Sequence, residues 1–188
     1  MIRIAGKTHD AEKAYKLFAD MEADGYIETA KTYNSIISAL GSTKRYSEKA
    51  IEYFHKMQLK GIVPDEHTYV AVLRATAKVG DTQTAYDALQ DMKIHGHKMT
   101  EYLYNGLIRT YAGAAALRNV KEEHIDLYIK DSFELFNQLQ NDPDCNVTPQ
   151  VLNSLLLLHC NAMRVDDLDS KVLILYDKHK IPYDIYTY

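Results

Sequence analysis

The chain has 188 residues, of which 46% are hydrophobic and 26% charged, with only 8 Gly and 4 Pro, so its composition is that of a folded domain, not a disordered or fibrous chain. A formal net charge of −4 excludes a generally basic coat for nucleic acid but leaves room for a local basic stripe, and no apolar run approaches the ~20 residues that span a bilayer as a helix. Cys145 and Cys160 form no CxxC pair and no Cys/His metal spacing, which leaves buried thiols or a reducing compartment as the expectation.

In chain order, MIRIAGK (1–7) reads as the last turns of a helix whose start is absent. AYKLFADMEADG (14–25) follows as an amphipathic helix, with Ala14, Phe18 and Met21 on one face and Gly25 placed where a left-handed residue closes a helix. KTYNSIISAL from Lys31 is a second helix with Tyr33, Ile36, Ile37 and Leu40 as its apolar stripe. The pair then recurs. AIEYFHKMQLKG (50–61) and AYDALQDMKIHG (85–96) repeat the first type, while HTYVAVLRAT from His67 and EYLYNGLIRT from Glu101 repeat the second. Met21, Met57 and Met92 lie 36 and 35 residues apart, and Tyr33, Tyr69 and Tyr104 keep the same spacing. Gly80 ends one helix and Asp81 or Thr82 is placed to cap the next. No stretch shows strand alternation, so the expected fold is all-α, an α-solenoid of stacked antiparallel helix pairs.

The later units are looser. SFELFNQL (132–139) and VLILYDKH (172–179) match the first helix type, and QVLNSLLLLH (150–159) matches the second with Leu152 in place of the tyrosine. About a dozen extra residues fall near 113–130, where Asn119 and Glu122 have the spacing of a capping box, so this insertion is expected to extend the next helix into solvent. KIPYDIYTY (180–188) repeats GIVPDEHTY (61–69), which makes Asp184 the end of one repeat and Ile185 to Tyr188 the start of another. The expected organisation is one segment: a half repeat 1–29, repeats 30–65, 66–100, 101–148 and 149–184, and the opening of a next repeat at 185–188, a fragment of a longer array.

The stretch GIVPDEHTYVAVLRATAKVGDTQTAYDALQDMKIHG resembles the pentatricopeptide repeat family. It has the 35-residue period, Pro64-Asp65 closing one repeat, Thr68-Tyr69 opening the next, Lys78 and Gly80 before the turn, and Ala85 to Met92 in the second helix. The tetratricopeptide repeat, at ~34 residues, is the structural rival, but its Trp-Leu-Gly-Tyr signature is missing and the chain has no Trp. The resemblance implies a right-handed superhelix that binds single-stranded RNA in a mitochondrion or plastid, one base per repeat; the residues themselves suggest no metal or cofactor. It also implies that bases are read by the residue after the tyrosine, here Asn34, Val70, Asn105 and Asn153, together with the last residue of the repeat, here Asp65, Thr100, Thr148 and Asp184. An Asn with a closing Asp resembles the pair that prefers uracil, which assigns U to repeats 30–65 and 149–184. The position that packs on the base holds Lys31, His67, Tyr102 and Gln150 instead of the usual Val.

Helical geometry leads to the same strip. Asn34, Ser38 and Gly41 fall about 110° from the apolar stripe and are expected to be half exposed. Val70, Arg74 and Lys78, then Asn105 and Arg109, occupy the same strip in the next two helices, with the cations set for phosphates and Tyr102 and His67 set to stack on bases. His95 and His97 flank Gly96 with no third metal ligand in reach of their spacing, and His159 on the apolar stripe reads as a core histidine. Asp166, Asp167 and Asp169 read as an acidic turn capping a helix from near Ser170. No Ser/His/Asp order or Gly-rich phosphate loop is present, so no enzyme is expected. Single-stranded RNA is the first expected partner. The alternatives are a protein scaffold, such as a subunit of an organellar ribosome or other large assembly docking through 113–130, and the RNA-holding arm of a larger enzyme, as in the protein-only form of ribonuclease P.

Overall fold

A computed structural model describes residues 11–164 and 168–183. They form helices α1 Ala11–Ala23, α2 Ala30–Leu40, α3 Ser47–Leu59, α4 Glu66–Val79, α5 Thr82–Ile94, α6 Glu101–Ala115, α7 Glu122–Asn141, α8 Pro149–Asn161 and α9 Ile174–Lys178. A single 3-10 turn, Lys44–Tyr46, precedes α3, and a π-helical turn, Leu168–Leu173, runs into α9. No strand occurs among the described residues, and the fold is the all-α solenoid type anticipated from the repeat. These residues group into two compact units, one within Met1–Val79 and Gln83–Lys98, the other within Gly80–Thr82 and Met99–Tyr188.

In the first unit the repeating residues make repeating contacts. Phe18 meets Tyr33 edge-on at 5.5 Å, and Phe54 meets Tyr69 edge-on at 6.2 Å, one repeat further along. All four rings are buried, each removal from water stabilising the fold by about 2 kcal/mol or more. The periodic methionines have a second role. Their carbonyls accept the bonds from Tyr26, Ile62 and His97 N–H at 3.1 Å that end α1, α3 and α5 in Schellman turns. Gly25, Gly61 and Gly96 between them carry φ of +73°, +67° and +75°, as the stop signal requires. Tyr69 donates its hydroxyl to Asp91 Oδ2 at 2.8 Å and so ties α4 to α5. Burial and that carboxylate push the Tyr69 hydroxyl well above the ordinary tyrosine range.

The second unit is built on Tyr104, Ile108, Phe136, Leu139, Val151, Leu152, Leu155, Val172 and Tyr176. Leu152 fills the site of the tyrosine with no loss of burial. His159 is a core residue as anticipated, fully buried, with Nδ1 3.0 Å from the Leu155 carbonyl and its ring edge-on to Phe133. The long α7, 20 residues, carries Tyr128 stacked on Tyr111 at 5.5 Å above its core-facing part. Its start differs from expectation: the N-cap is Lys121, and Asn119 lies at φ +64°. An N-cap needs extended backbone, so a left-handed Asn cannot serve as one, whatever its distance from Glu122. Asp166 and Asp167 lie outside the described residues, and helical backbone after that gap is already present at Leu168, ahead of Ser170.

Candidate nucleic-acid interface

In the first unit the site is built around the start of α4. Asp65 and Thr68 form a reciprocal cap, with Thr68 N–H donating to Asp65 Oδ1 at 2.9 Å and Asp65 N–H donating to Thr68 Oγ1 at 3.3 Å. The remaining carboxylate oxygen, Oδ2, accepts from Asn34 Nδ2 at 2.6 Å, and the Thr68 hydroxyl donates to Asn34 Oδ1, which closes a three-residue ring between α2 and α4. Burial alone would push the Asp65 carboxyl up, but the Thr68 and Asn34 hydrogen bonds outweigh it and hold the carboxyl below the ordinary aspartate value. A primary amide has two N–H groups and two lone pairs, so Asn34 keeps one of each for a ligand after these bonds.

The second unit treats Asn105 and Asn153, its two Asn residues of the strip, in a related way. The Ser154 hydroxyl lies 2.6 Å from Asn105 Oδ1 and 2.8 Å from the Gln150 carbonyl, and Tyr176 donates its hydroxyl to Asn153 Oδ1. In all three cases a hydroxyl from a later helical segment meets the amide oxygen. Tyr102, 65% exposed, stands beside Asn105 at the start of α6, and Thr148 is the N-cap residue of α8. Together with Glu101 and Gln150 they line one recess of about 150 Å³.

The other residues of the strip are placed less uniformly. Val70 and Arg74 are half-buried, while His67 and Arg109 are exposed. Thr100 is the N-cap residue of α6 but makes no side-chain cap bond. Gly41 departs from the half-exposed strip, and Lys78, half-buried as the strip requires, turns its ammonium to the end of α2. Gly41 is buried, with space for a Cβ closed by the Ala71 carbonyl oxygen at 3.0 Å. The Lys78 ammonium donates to the Gly41 carbonyl at 3.1 Å and to the Ser42 carbonyl, where the C-terminal end of α2 attracts a cation. Asp184, the closing partner assigned to Asn153, lies outside the described residues.

A sequence model of the pentacotripeptide-repeat region of PRORP matches residues 1–102, more than half of the chain. The chain belongs to the pentatricopeptide repeat family. A chloroplastic pentatricopeptide repeat-containing protein of Arabidopsis thaliana is 26% identical over 83% of this chain and 28% of its own length, and another is 32% identical over 67% and 15%. The mitochondrial pentatricopeptide repeat-containing protein 1 of Mus musculus is 25% identical over 81% of this chain and 23% of its own length. The chain thus spans between 15% and 28% of the length of these relatives. Among solved structures, the pentatricopeptide repeat domain of Arabidopsis thaliana protein-only RNase P 1 in complex with tRNA superposes with a TM-score of 0.71 at 16% identity, covering 99% of this chain and 90% of that one. Maize PPR10 superposes with a TM-score of 0.55 at 17% identity, covering 99% and 30%, and its complex with an 18-nt psaJ RNA element with 0.51 at 18%, covering 98% and 28%. At these identities the structures bear on the pentatricopeptide repeat fold alone.

Four participants lie outside the positions that the family resemblance assigns to a base: Thr68, Ser154, Tyr176 and Glu101. Thr68 carries a local signal, since Asp65 and Thr68 are spaced as a reciprocal cap. Ser154 and Tyr176 carry none, because a hydroxyl on a helix reveals its partner only once a second helix is placed against it. Chemically the arrangement offers amide donors, amide and carboxylate acceptors and an exposed ring. Among the described residues no group of three His, Cys, Asp or Glu side chains is arranged to hold a metal ion, and no helix is long and apolar enough to cross a membrane.

Proposed function

We propose that the chain is a single-stranded RNA-binding module of organelle RNA metabolism, reading bases repeat by repeat along 30–65, 66–100, 101–148 and 149–184, and performing no catalysis itself. The observation that carries this is the 2.6 Å hydrogen bond joining Asn34 to Asp65, two residues 31 positions apart that the family resemblance assigns to one base. Asn34 retains one N–H and one lone pair, which complement a carbonyl and the N3–H of uracil; repeat 30–65 therefore favours U, and Asn153 gives repeat 149–184 the same preference. The relatives named chloroplastic and mitochondrial support an organellar setting, and the solved complexes with tRNA and with an RNA element support RNA as the ligand. The same module serves equally as the RNA-holding arm of a larger processing enzyme.

Titrating U-rich and scrambled oligonucleotides at two salt concentrations tests the reading. The U-rich strand should bind more tightly, and both should weaken as salt rises. Absence of binding by either strand at low salt would end it. A second reading, docking of a protein partner in a ribonucleoprotein assembly, is favoured by Leu117 and Leu127, 47% and 46% exposed within the 113–130 segment. Partners that co-purify unchanged with a Leu117→Ser, Leu127→Ser variant would count against that segment as their contact.

A further inference from the structure

We infer that Glu101 is a base-selecting residue and that repeat 101–148 takes guanine in preference to uracil. This rests on the RNA-binding reading and adds a residue outside the pair assigned to each base. Glu101 and Asn105 are four residues apart on α6, hence on the same face one turn apart, and both line the recess closed by Tyr102, Thr148 and Gln150. The Asn105 oxygen is met by the Ser154 hydroxyl, so Asn105 offers N–H to the recess, while an ionised Glu101 offers only acceptors. A base seated there faces an acceptor pair beside a donor.

Guanine fits this arrangement. Its N1–H and N2–H lie side by side, matched to the two oxygens of a carboxylate, and its O6 stands next to them, where it accepts from an amide N–H. Uracil has a single N–H between two carbonyl oxygens, so a carboxylate that takes the N–H also opposes a carbonyl. The exposed Tyr102 ring supplies a stacking face that is indifferent to base identity.

The chain itself carries a second, independent observation. Repeat 30–65 opens with Ala30 and closes with Asp65, whereas repeats 66–100 and 101–148 open with Glu66 and Glu101 and close with Thr100 and Thr148, and of these two only 101–148 sets an amide, Asn105, beside its acid, Val70 standing at that position in the other. The acid has changed ends. Repeat 30–65 places its carboxylate on the Asn amide hydrogen, as the bond between Asn34 and Asp65 shows, while Thr148 brings no charge and the acid of repeat 101–148 stands at its opening.

Selection from a random single-stranded RNA pool by the full chain, followed by titration of the four single-base variants at each enriched position, tests this. The wild-type chain should show one position where guanine is preferred over uracil by about tenfold, and Glu101→Gln and Glu101→Ala should each reduce that ratio to near unity at that position alone. Tyr102→Ala should instead weaken all four bases alike there. Far-UV circular dichroism confirms that the variants fold. A bound RNA whose base profile is unchanged in both Glu101 variants overturns the inference while leaving RNA binding intact. A pool from which nothing is enriched at low salt overturns the RNA-binding reading and the inference with it.

Discussion

Asp65 serves two ends with one carboxylate, closing the first turn of α4 through Oδ1 and orienting Asn34 through Oδ2. Its lowered native pKa has a defined consequence. A depressed carboxylate contributes stability that is fully present above the ordinary aspartate value of 3.8 and is lost as pH falls through the lower native value. Stability of the wild-type chain should therefore decline below about pH 3.8, and Asp65→Asn should make that decline shallower, as read from urea unfolding at a series of pH values. Thr68 is the other half of the cap and is fully buried. Thr68→Val keeps its shape but removes the hydroxyl that meets both Asn34 and Asp65, and should cost about 1–3 kcal/mol in the same measurement. An unchanged midpoint would mean that the ring is decoration on an already stable turn. Resemblance could pair Asn34 with Asp65 because both belong to the repeating register. It could not give the partner of Lys78, since helical angle puts Lys78 on the half-exposed strip and only the placed helices show its ammonium meeting the carbonyls at the end of α2.

Each helix is a period, a stop and a buried face, and those three signals account for how much of the fold was legible. Phe18, Phe54 and Met92 announce their burial by position alone, and the glycines announce the ends. The start of α7 was not legible because Asn119 is equally at home as a cap and as a left-handed residue, and only the path of the chain after Ala115 decides between them. Gly80 is the most constrained of the turn positions. It has φ +73°, and a Cβ added there would lie 2.8 Å from Ala114 Cα within the second unit. Gly80→Ala therefore combines backbone strain with a clash against main chain that cannot rotate away, and should lower stability by about 1–3 kcal/mol or more in denaturant unfolding. Arg164 acts on the exposed first turns of α7, bonding Asp126 at 2.9 Å and also Glu122. Screened surface pairs contribute little to global stability, so Arg164→Gln should leave the unfolding midpoint nearly unchanged. Amide hydrogen exchange in residues 122–130 should accelerate, and identical exchange in the variant would show that these turns are held by packing alone.

At the scale of the whole chain, the net charge of −4 means that the proposed RNA binding requires locally placed cations and cannot draw on a general field. Arg74 and Arg109 are the cations of the strip not committed to a helix end as Lys78 is. Two kinds of contact then separate in one experiment. Phosphate contacts release counterions and set the salt dependence, whereas amide contacts to base edges set preference and leave the salt dependence untouched. With about 0.7 counterion released per neutralised phosphate on a single strand, the Arg74→Ala, Arg109→Ala double variant should reduce the slope of log affinity against log salt by about 1.4, for U-rich and scrambled strands alike. Asn34→Ala should leave that slope unchanged while eroding the difference between the two strands. A double variant that keeps the wild-type slope would place the phosphate path elsewhere on the repeats, because the salt term has no source other than charge contact with the strand.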